Sequence, residues 1–570
     1  MGMGATNTLD RVAASLGLVP EVSIEFQRSV DVANGGALFA LPALLACGLL
    51  RHTGKYFSLP QGYYRLDSIF ILLALMALTR LKHIECLRYC APGEWGKLLG
   101  LDRIPEVRTL REKLKHLSNE ERPTNWSAEL CRDWMEAAPD EANMLYVDGH
   151  VRVYYGSKTK LPRHYVSRQR LCLRATVDYW VNAMDGQPFC TIGKAIDPGL
   201  IKVLEEDLVP RLEKDVPKQP TAGELEANPH LHRFTLIFDR EGYSPGLLLR
   251  MKERRIACLT YHKFPGKEWA DEEFRSCSVT LGTGEVIDMD LAERGTYLGS
   301  KPGERIWVRE IRKRNDSGGQ TSILSTDYCN DLTSIAVGMF SRWSQENFFR
   351  YMRIHFGLDC LADYSVEPIP DTTPVTNPSY RELDGRVRKT VSLLSRRLAE
   401  FGALSLSGEI APSNVERYER KKGTLREQIA HLQTETERLK GERKAIDQHI
   451  PVSEVPDNER FSRLSTQSKH LIDTIKMIAY RAETSMAHVL RERMSRHDDA
   501  RTLLREVYGT EADLIPNDTD KTLTVRLHHL ANHSSDAAVR HLCSELNSTE
   551  TLFPGTELRL VFEFVSSQNP

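Results

Sequence analysis

Three hydrophobic rhythms divide the chain. Over the first 120 residues apolar side chains recur at helical spacing and include two dense runs, 37–50 and 68–78. From about Met144 they alternate with polar residues, in "MLYVDGHVRVYYG", "LCLRATVDYWV" and the short runs between 275 and 328, so strands are expected there. "RFTLIFDREGYS" reads as a buried strand running into a turn. "NDLTSIAVGMFSRWSQENFFRYMRIHFGL" reads as helix, with Ile335, Met339, Trp343 and Phe349 to Met352 on its apolar side. Four prolines between 368 and 378 then mark a linker. From Tyr418 to Ile450 the apolar positions step by four and three, and Phe461 to Ala482 keeps the same step, which predicts an antiparallel coiled-coil hairpin of these two segments. The chain closes with strand, helix and strand patterns, suggesting a small α/β region over 501–570, in which His528, His529 and His533 are read as structural.

Within the helical start, "GEWGKLLGLDRIPEVRTLREKLKHL" has a helix from about Glu94 to Leu99, a break at Gly100 and a second helix opened by Pro105. That is a helix-turn-helix pattern over 94–117. Leu110, Leu114 and Leu117 form its buried stripe, leaving Arg108, Arg111, Lys113 and Lys115 to reach phosphates or base edges. An ordinary helical pair with solvated basic residues has the same pattern.

The chain is long enough for several structural units, with 570 residues, and its 76 Lys/Arg against 78 Asp/Glu exclude a uniformly basic nucleic-acid coat. Any such affinity must be local. It concentrates between Gly149 and Val177, where Arg152, Lys158, Lys160, Arg163, Arg168, Arg170 and Arg174 meet no acidic residue and interleave with Tyr154, Tyr155 and Tyr165. A solvated hairpin face reads alike. The 11 cysteines contain no CxxC pair, which argues against a zinc ribbon or a disulfide framework; His83, Cys86 and Cys90 are expected to pack in the core. Neither apolar run reaches the roughly 18 to 20 residues of a membrane span, so a cytoplasmic protein without a membrane partner is expected.

Three carboxylates stand out. Asp148 lies in or beside a strand, Asp239 ends one, and Glu346 sits on a helix among aromatic residues. Taken singly they read as a hairpin turn, a helix cap and a solvated charge. Together, acidic groups from two strands and a helix can hold a pair of hard divalent cations about 3.5 to 4 Å apart for phosphodiester displacement.

The segments "YVDGHVRVYYG", "LIFDREGYS" and "MFSRWSQENFFRYMRIHFGLD" resemble the bacterial DDE transposases of cut-and-paste insertion sequences. In that family's third motif a tyrosine, an arginine, the catalytic glutamate and a lysine follow at set spacings; here those positions hold Met339, Arg342, Glu346 and Arg353. The resemblance, over roughly 85 to 360, implies a multidomain α/β protein. Its ribonuclease-H-like catalytic domain would span 140–365 with a β-rich insertion at about 265–328. Residues 1–125 would form the DNA-binding helical region; outside the resemblance, the prolines and the apolar rhythm alone place a linker and helix at 366–410 and the coiled-coil hairpin at 411–500. The resemblance further implies two Mg²⁺ ions, with Mn²⁺ as substitute, on Asp148, Asp239 and Glu346, and phosphate contacts from Arg342 and Arg353. The implied partners are double-stranded DNA at transposon ends and target, and further copies of the chain on that DNA, a contact the coiled coil would supply. The implied location is the cytoplasm, on the nucleoid when bound. The implied reaction is cleavage at a transposon end followed by attack of the freed 3′-hydroxyl on target DNA. Two other readings are a nuclease that only hydrolyses and a transposase-derived scaffold that binds DNA without catalysis. Trp307 is expected to be a buried sheet residue rather than a stacking platform for a base.

Overall fold

The computed structural model describes residues 7–565 apart from 157–159, 167, 168, 170, 195, 282–285, 300–302, 304, 316, 361–365, 368, 407–411, 457–462, 495, 497, 498 and 531–534. Its centre is one mixed sheet. The strands are β1 (Met144–Val153), β2 (Arg163–Val166), β3 (Leu171–Asn182), β4 (Pro188–Lys194), β5 (Thr235–Phe238), β6 (Ala257–Tyr261), β7 (Arg275–Thr280), β8 (Val286–Leu298), β9 (Ile306–Arg314) and β10 (Gln320–Ser325). They run in the order β2-β3-β1-β5-β6-β10-β9-β8-β7, with β4 also on β3. β1, β5 and β6 are mutually parallel, while β3 and β4 join antiparallel. The four β-rich strands after β6 extend this same sheet through the β6–β10 pair.

β5 has no polar face, as a strand covered on both sides requires. On one side Leu236 and Phe238 join the main apolar core; on the other Ile237 packs with Tyr146, Leu259, Ile323, Ile335 and Met339. The long helices ahead of them are α1 (Leu66–Leu78), α2 (Val107–Leu117), α3 (Arg122–Ala137) and α4 (Pro245–Glu253); the last two residues come from α5 (Leu332–Phe340), which leads into α6 (Trp343–His355). Met339, standing where the family motif has tyrosine, is fully buried in that second cluster.

Beyond the sheet the pairing differs from the expected hairpin. Residues 378–406, placed partly in a linker, form a long helix, α7 (Pro378–Leu406), and it is α7 that packs along α8 (Val415–Lys444). The segment expected to pair with α8 is α9 (Gln467–Arg491), which runs through the core and is buried on most sides. A three-four repeat specifies an apolar seam but not which helix fills it. The charges on α9 hid its burial, and each has partners inside: Lys469 with Asp473, and Glu483 with Arg80 at 2.6 Å and Arg501 at 3.1 Å.

The main core cluster is continuous from Val22 to Phe562, so the N-terminal helices, the sheet and the C-terminal region share one interior. The C-terminal strands Ala512–Asn517, Thr522–Leu527 and Arg559–Phe564 form a second sheet, completed by Ser29–Val32 from the start of the chain, which the helical reading of that region missed. Among the described residues no helix is long and apolar enough to cross a membrane.

Candidate functional site

The parallel registers set the site. Val147 pairs with Phe238 and Phe238 with Thr260, so the next residue on each strand, Asp148, Asp239 and Tyr261, forms a row at the C-terminal ends of β5 and β6, against the middle of β1. Asp148-Gly149 is therefore not a hairpin turn: β1 runs straight through it to Val153. Packing at Gly149 is tight, since a Cβ there would stand 3.2 Å from the Tyr179 ring.

Arg342, on the turn between α5 and α6, lies between the two aspartates. One Nη is 3.1 Å from Asp148 Oδ2 and the other 3.8 Å from Asp239 Oδ1. Its side chain is only 8% exposed, against 28% for Asp148 and 50% for Asp239. Arg342 is thus the buried counter-ion of the pair, where a phosphate contact was expected. Burial pushes the Asp148 carboxyl up, Arg342 pulls it back, Asp239 raises it further, and the Gly149 N–H, donating at 2.9 Å, lowers it.

Glu346 is exposed at the first turn of α6 and is held from both sides. Before it, Ser344 Oγ donates to the Met184 carbonyl at 2.7 Å, and the buried Gln345 donates to Asn182 Oδ1 at 3.2 Å. After it, Phe348 packs on Trp180, the residue opposite Asp148 on β3. Phe349 stacks on His150, with centroids 5.3 Å apart and planes within 10°. His150 shares the strand face of Asp148, and its Nε2 lies 2.7 Å from Asp359, whose second oxygen meets Arg353 Nε at 3.2 Å. Arg353 is thus anchored to Asp359 beside the site.

Tyr261 adds a hydroxyl to the row. Burial raises it, Arg342 lowers it, and both Asp239 and Glu346 raise it. The sequence reading missed Tyr261 and also Glu241, whose carboxyl is pushed up by burial and then by Asp197 and Asp148. For Tyr261 the available signal was that "IACLTY" ends as "TLIFD" does, an apolar strand closing on a polar group.

The donor set suits hard cations: all oxygen, with an aspartate pair sharing one guanidinium. The three carboxylates do not come within 4.8 Å of one another; among the described residues that spacing is met by Asp31, Glu511 and His528. His528 also has Asp513 at 2.9 Å, carboxylate company the sequence spacing did not show.

Of the expected DNA-contacting cations, Lys158, Arg168 and Arg170 lie outside the described residues, as does His533. Lys160 and Arg163 are exposed. Arg152 is not part of that surface: it is buried against Asp178 and Asp473. The 94–117 segment forms two helices, Pro92–Lys97 and Val107–Leu117. Arg108 is 88% exposed and pairs with Glu112, Arg111 pairs with Glu85, and Lys115 is exposed. Burial lowers Lys113. His83 is exposed and Cys86 is half-buried outside the core, while Cys90, also half-buried, packs against the main core. Trp307 is 39% exposed over Gly295 and near Tyr328, a surface position rather than a buried one.

A family described as "Transposase protein" matches residues 2–566. No curated protein matches the chain. Among solved structures, "Cryo-EM structure of piggyBac transposase synaptic complex with hairpin DNA (SNHP)" is similar at 10% identity, covering 86% of this chain and 88% of that one, with a TM-score of 0.26.

Proposed function

The chain belongs to this transposase family, and from that premise we propose that it cleaves DNA at the ends of a mobile element and joins the exposed 3′-hydroxyl to target DNA, using Asp148, Asp239 and Glu346. The observation that carries the assignment is the adjacent Asp148 and Asp239 on parallel strands, with Glu346 on the helix packed against the same sheet. The strand order β4-β3-β1-β5-β6, in which β3 alone runs antiparallel to the other four, supports a ribonuclease-H-like core of the DDE type.

The three carboxylates would hold two Mg²⁺, or Mn²⁺ in their place. Such ions supply an activated attacking oxygen and neutralise the leaving oxygen. The chain's own residues fix the geometry. β1 and β5 set the aspartates side by side, and the Phe348 and Phe349 contacts hold α6, and so Glu346, against β1 and β3. Arg342 neutralises the aspartate pair and keeps it compact. Arg108, Arg111, Lys115, Lys160, Arg163 and Arg353, with Lys158, Arg168 and Arg170, bind backbone phosphates. Further copies of the chain assemble on paired ends.

The test uses DNA flanking the gene as substrate. Asp148→Ala, Asp239→Ala and Glu346→Ala each abolish Mg²⁺-dependent nicking at the element end while retaining end binding. Wild type joins a pre-cut end bearing a 3′-hydroxyl to a second duplex. Undiminished nicking by any one variant removes that residue from the site, and absence of joining by an enzyme that nicks reduces the protein to a nuclease.

A further inference from the structure

The α7–α8 hairpin is a two-helix arm inserted between the helix bearing Glu346 and the core helix α9. Its antiparallel register is fixed by Arg443 on Asp384 at 2.6 Å near the root and by Tyr418 Oη donating to the Leu404 carbonyl at 3.3 Å near the tip. At 29 and 30 residues the helices extend roughly 43 Å at about 1.5 Å per residue. Along that length the buried positions are few: Val387 on α7, and Leu425, Thr436 and Leu439 on α8. The other described side chains of the two helices are partly or wholly in solvent.

The charge on the arm is uneven. Residues 378–444 hold 15 Lys/Arg against 10 Asp/Glu in a chain whose net charge is -2. The distal part, 396–426, holds 7 against 4. Toward the root, most cations are neutralised, Arg438 by Glu435 and Glu442, Lys440 by Glu437, and Arg443 by Asp384, with Lys444 at the end of α8 the exception. Among the described residues, Lys389, Arg396, Arg417, Lys421, Lys422 and Arg426 have no carboxylate partner. All but Lys422 are exposed. Arg417 and Lys421 are four apart on one flank of α8, as are Lys422 and Arg426 on the other, so both flanks present positive charge.

The root fixes where this charge begins. Pro374–Thr376 pairs with His449–Pro451, and Val375, Ile369, Val452 and Val455 pack with Ile196. Ile196 adjoins Asp197, which accepts from Tyr179 at 2.6 Å, and Tyr179 is the β3 partner of Gly149, next to Asp148. The arm therefore starts beside the carboxylate site.

We infer that the distal α7–α8 arm is a second duplex-DNA contact, gripping the phosphate backbone of DNA held at the carboxylate site. The inference rests on the transposase reading for its ligand and adds a surface which that reading did not contain. The choice of DNA over a second copy of the chain follows from charge. Two arms meeting tip to tip would oppose like charges, whereas a polyanion supplies counter-charge to these six cations. The arm's reach corresponds to about 12 base pairs at roughly 3.4 Å each.

The experiment measures binding of the full chain to a random duplex by fluorescence anisotropy across a KCl series, comparing wild type with the quadruple variant R417Q/K421Q/K422Q/R426Q. A second variant, K389Q/R396Q, and far-ultraviolet circular dichroism guard against a folding defect in α8. The slope of log K against log salt becomes shallower by about 0.9 for each phosphate that the variant leaves un-neutralised, up to roughly 3.6 for the quadruple variant. Affinity falls at least about tenfold, with unchanged helicity. An unchanged slope in both variants overturns the arm assignment, as does an altered mass by light scattering with the slope unchanged, which would make the arm a contact between copies. Neither result touches the carboxylate site. Failure of wild type to bind any duplex overturns the functional reading itself.

Discussion

Replacing Arg342 by methionine tests the arrangement of the aspartate pair. The guanidinium is 3.1 Å from Asp148 and 3.8 Å from Asp239. At an effective dielectric of about 20 these separations correspond to gross attractions of roughly 5 and 4 kcal/mol. Desolvation of a side chain that is 8% exposed offsets much of that, and solvent screens the half-exposed Asp239 more than Asp148. The expected net coupling is about 1–3 kcal/mol to Asp148 and under about 1 kcal/mol to Asp239. A double-mutant cycle reads it: urea unfolding of wild type, Arg342→Met, Asp148→Asn and the double variant, then the same with Asp239→Asn. Arg342→Met alone destabilises because it leaves two adjacent carboxylates facing one another, and Asp148→Asn in that background restores stability. MgCl₂ raises the unfolding midpoint of Arg342→Met more than that of wild type, since the cation then meets an uncompensated pair. A coupling to Asp148 below about 0.5 kcal/mol, or one smaller than that to Asp239, would refute Arg342 as the counter-ion.

Two further outcomes follow from buried charge away from the site. Glu483 is fully buried between Arg80 and Arg501, so Glu483→Gln leaves two guanidiniums without an anion and lowers stability by about 3–5 kcal/mol in urea unfolding; a loss within about 1 kcal/mol would contradict the pairing. His470 is buried on α9 and its imidazole is pushed down to about 4 by that burial, with Asp473 opposing. Its folded-state pKa lies below the unfolded value, so its contribution is present above about pH 6.5 and is lost as pH falls toward about 4, roughly 3 kcal/mol in all. The stability difference between wild type and His470→Gln therefore narrows or reverses between pH 6.5 and 4, and a difference constant across that window would exclude His470 as the group responsible.

Residue order alone dictates much of the local structure. Alternation in "MLYVDGHVRV" yields a strand and the largely apolar "TLIF" a covered one, because side-chain period and two-sided burial are written directly into the chain. It also singles out Asp148, Asp239 and Glu346, since a carboxylate closing an apolar strand or flanked by aromatic residues is conspicuous without any partner. Pairing is beyond it. The step of three and four in α8 and in α9 is the same, yet α8 lies against α7 and α9 lies in the core, because a seam demands an apolar partner without naming one. The Asp-Gly pair has the composition of a turn, and only the register of β1 against β3 and β5 keeps it in a strand. Arg342 carries a charge that suits phosphate as well as carboxylate; what decides between them is its burial beside Asp148, a consequence of how the turn between α5 and α6 meets the sheet. The order of residues sets which groups are available and how each segment curls, while the distances over which charges act depend on contacts between segments far apart in the chain.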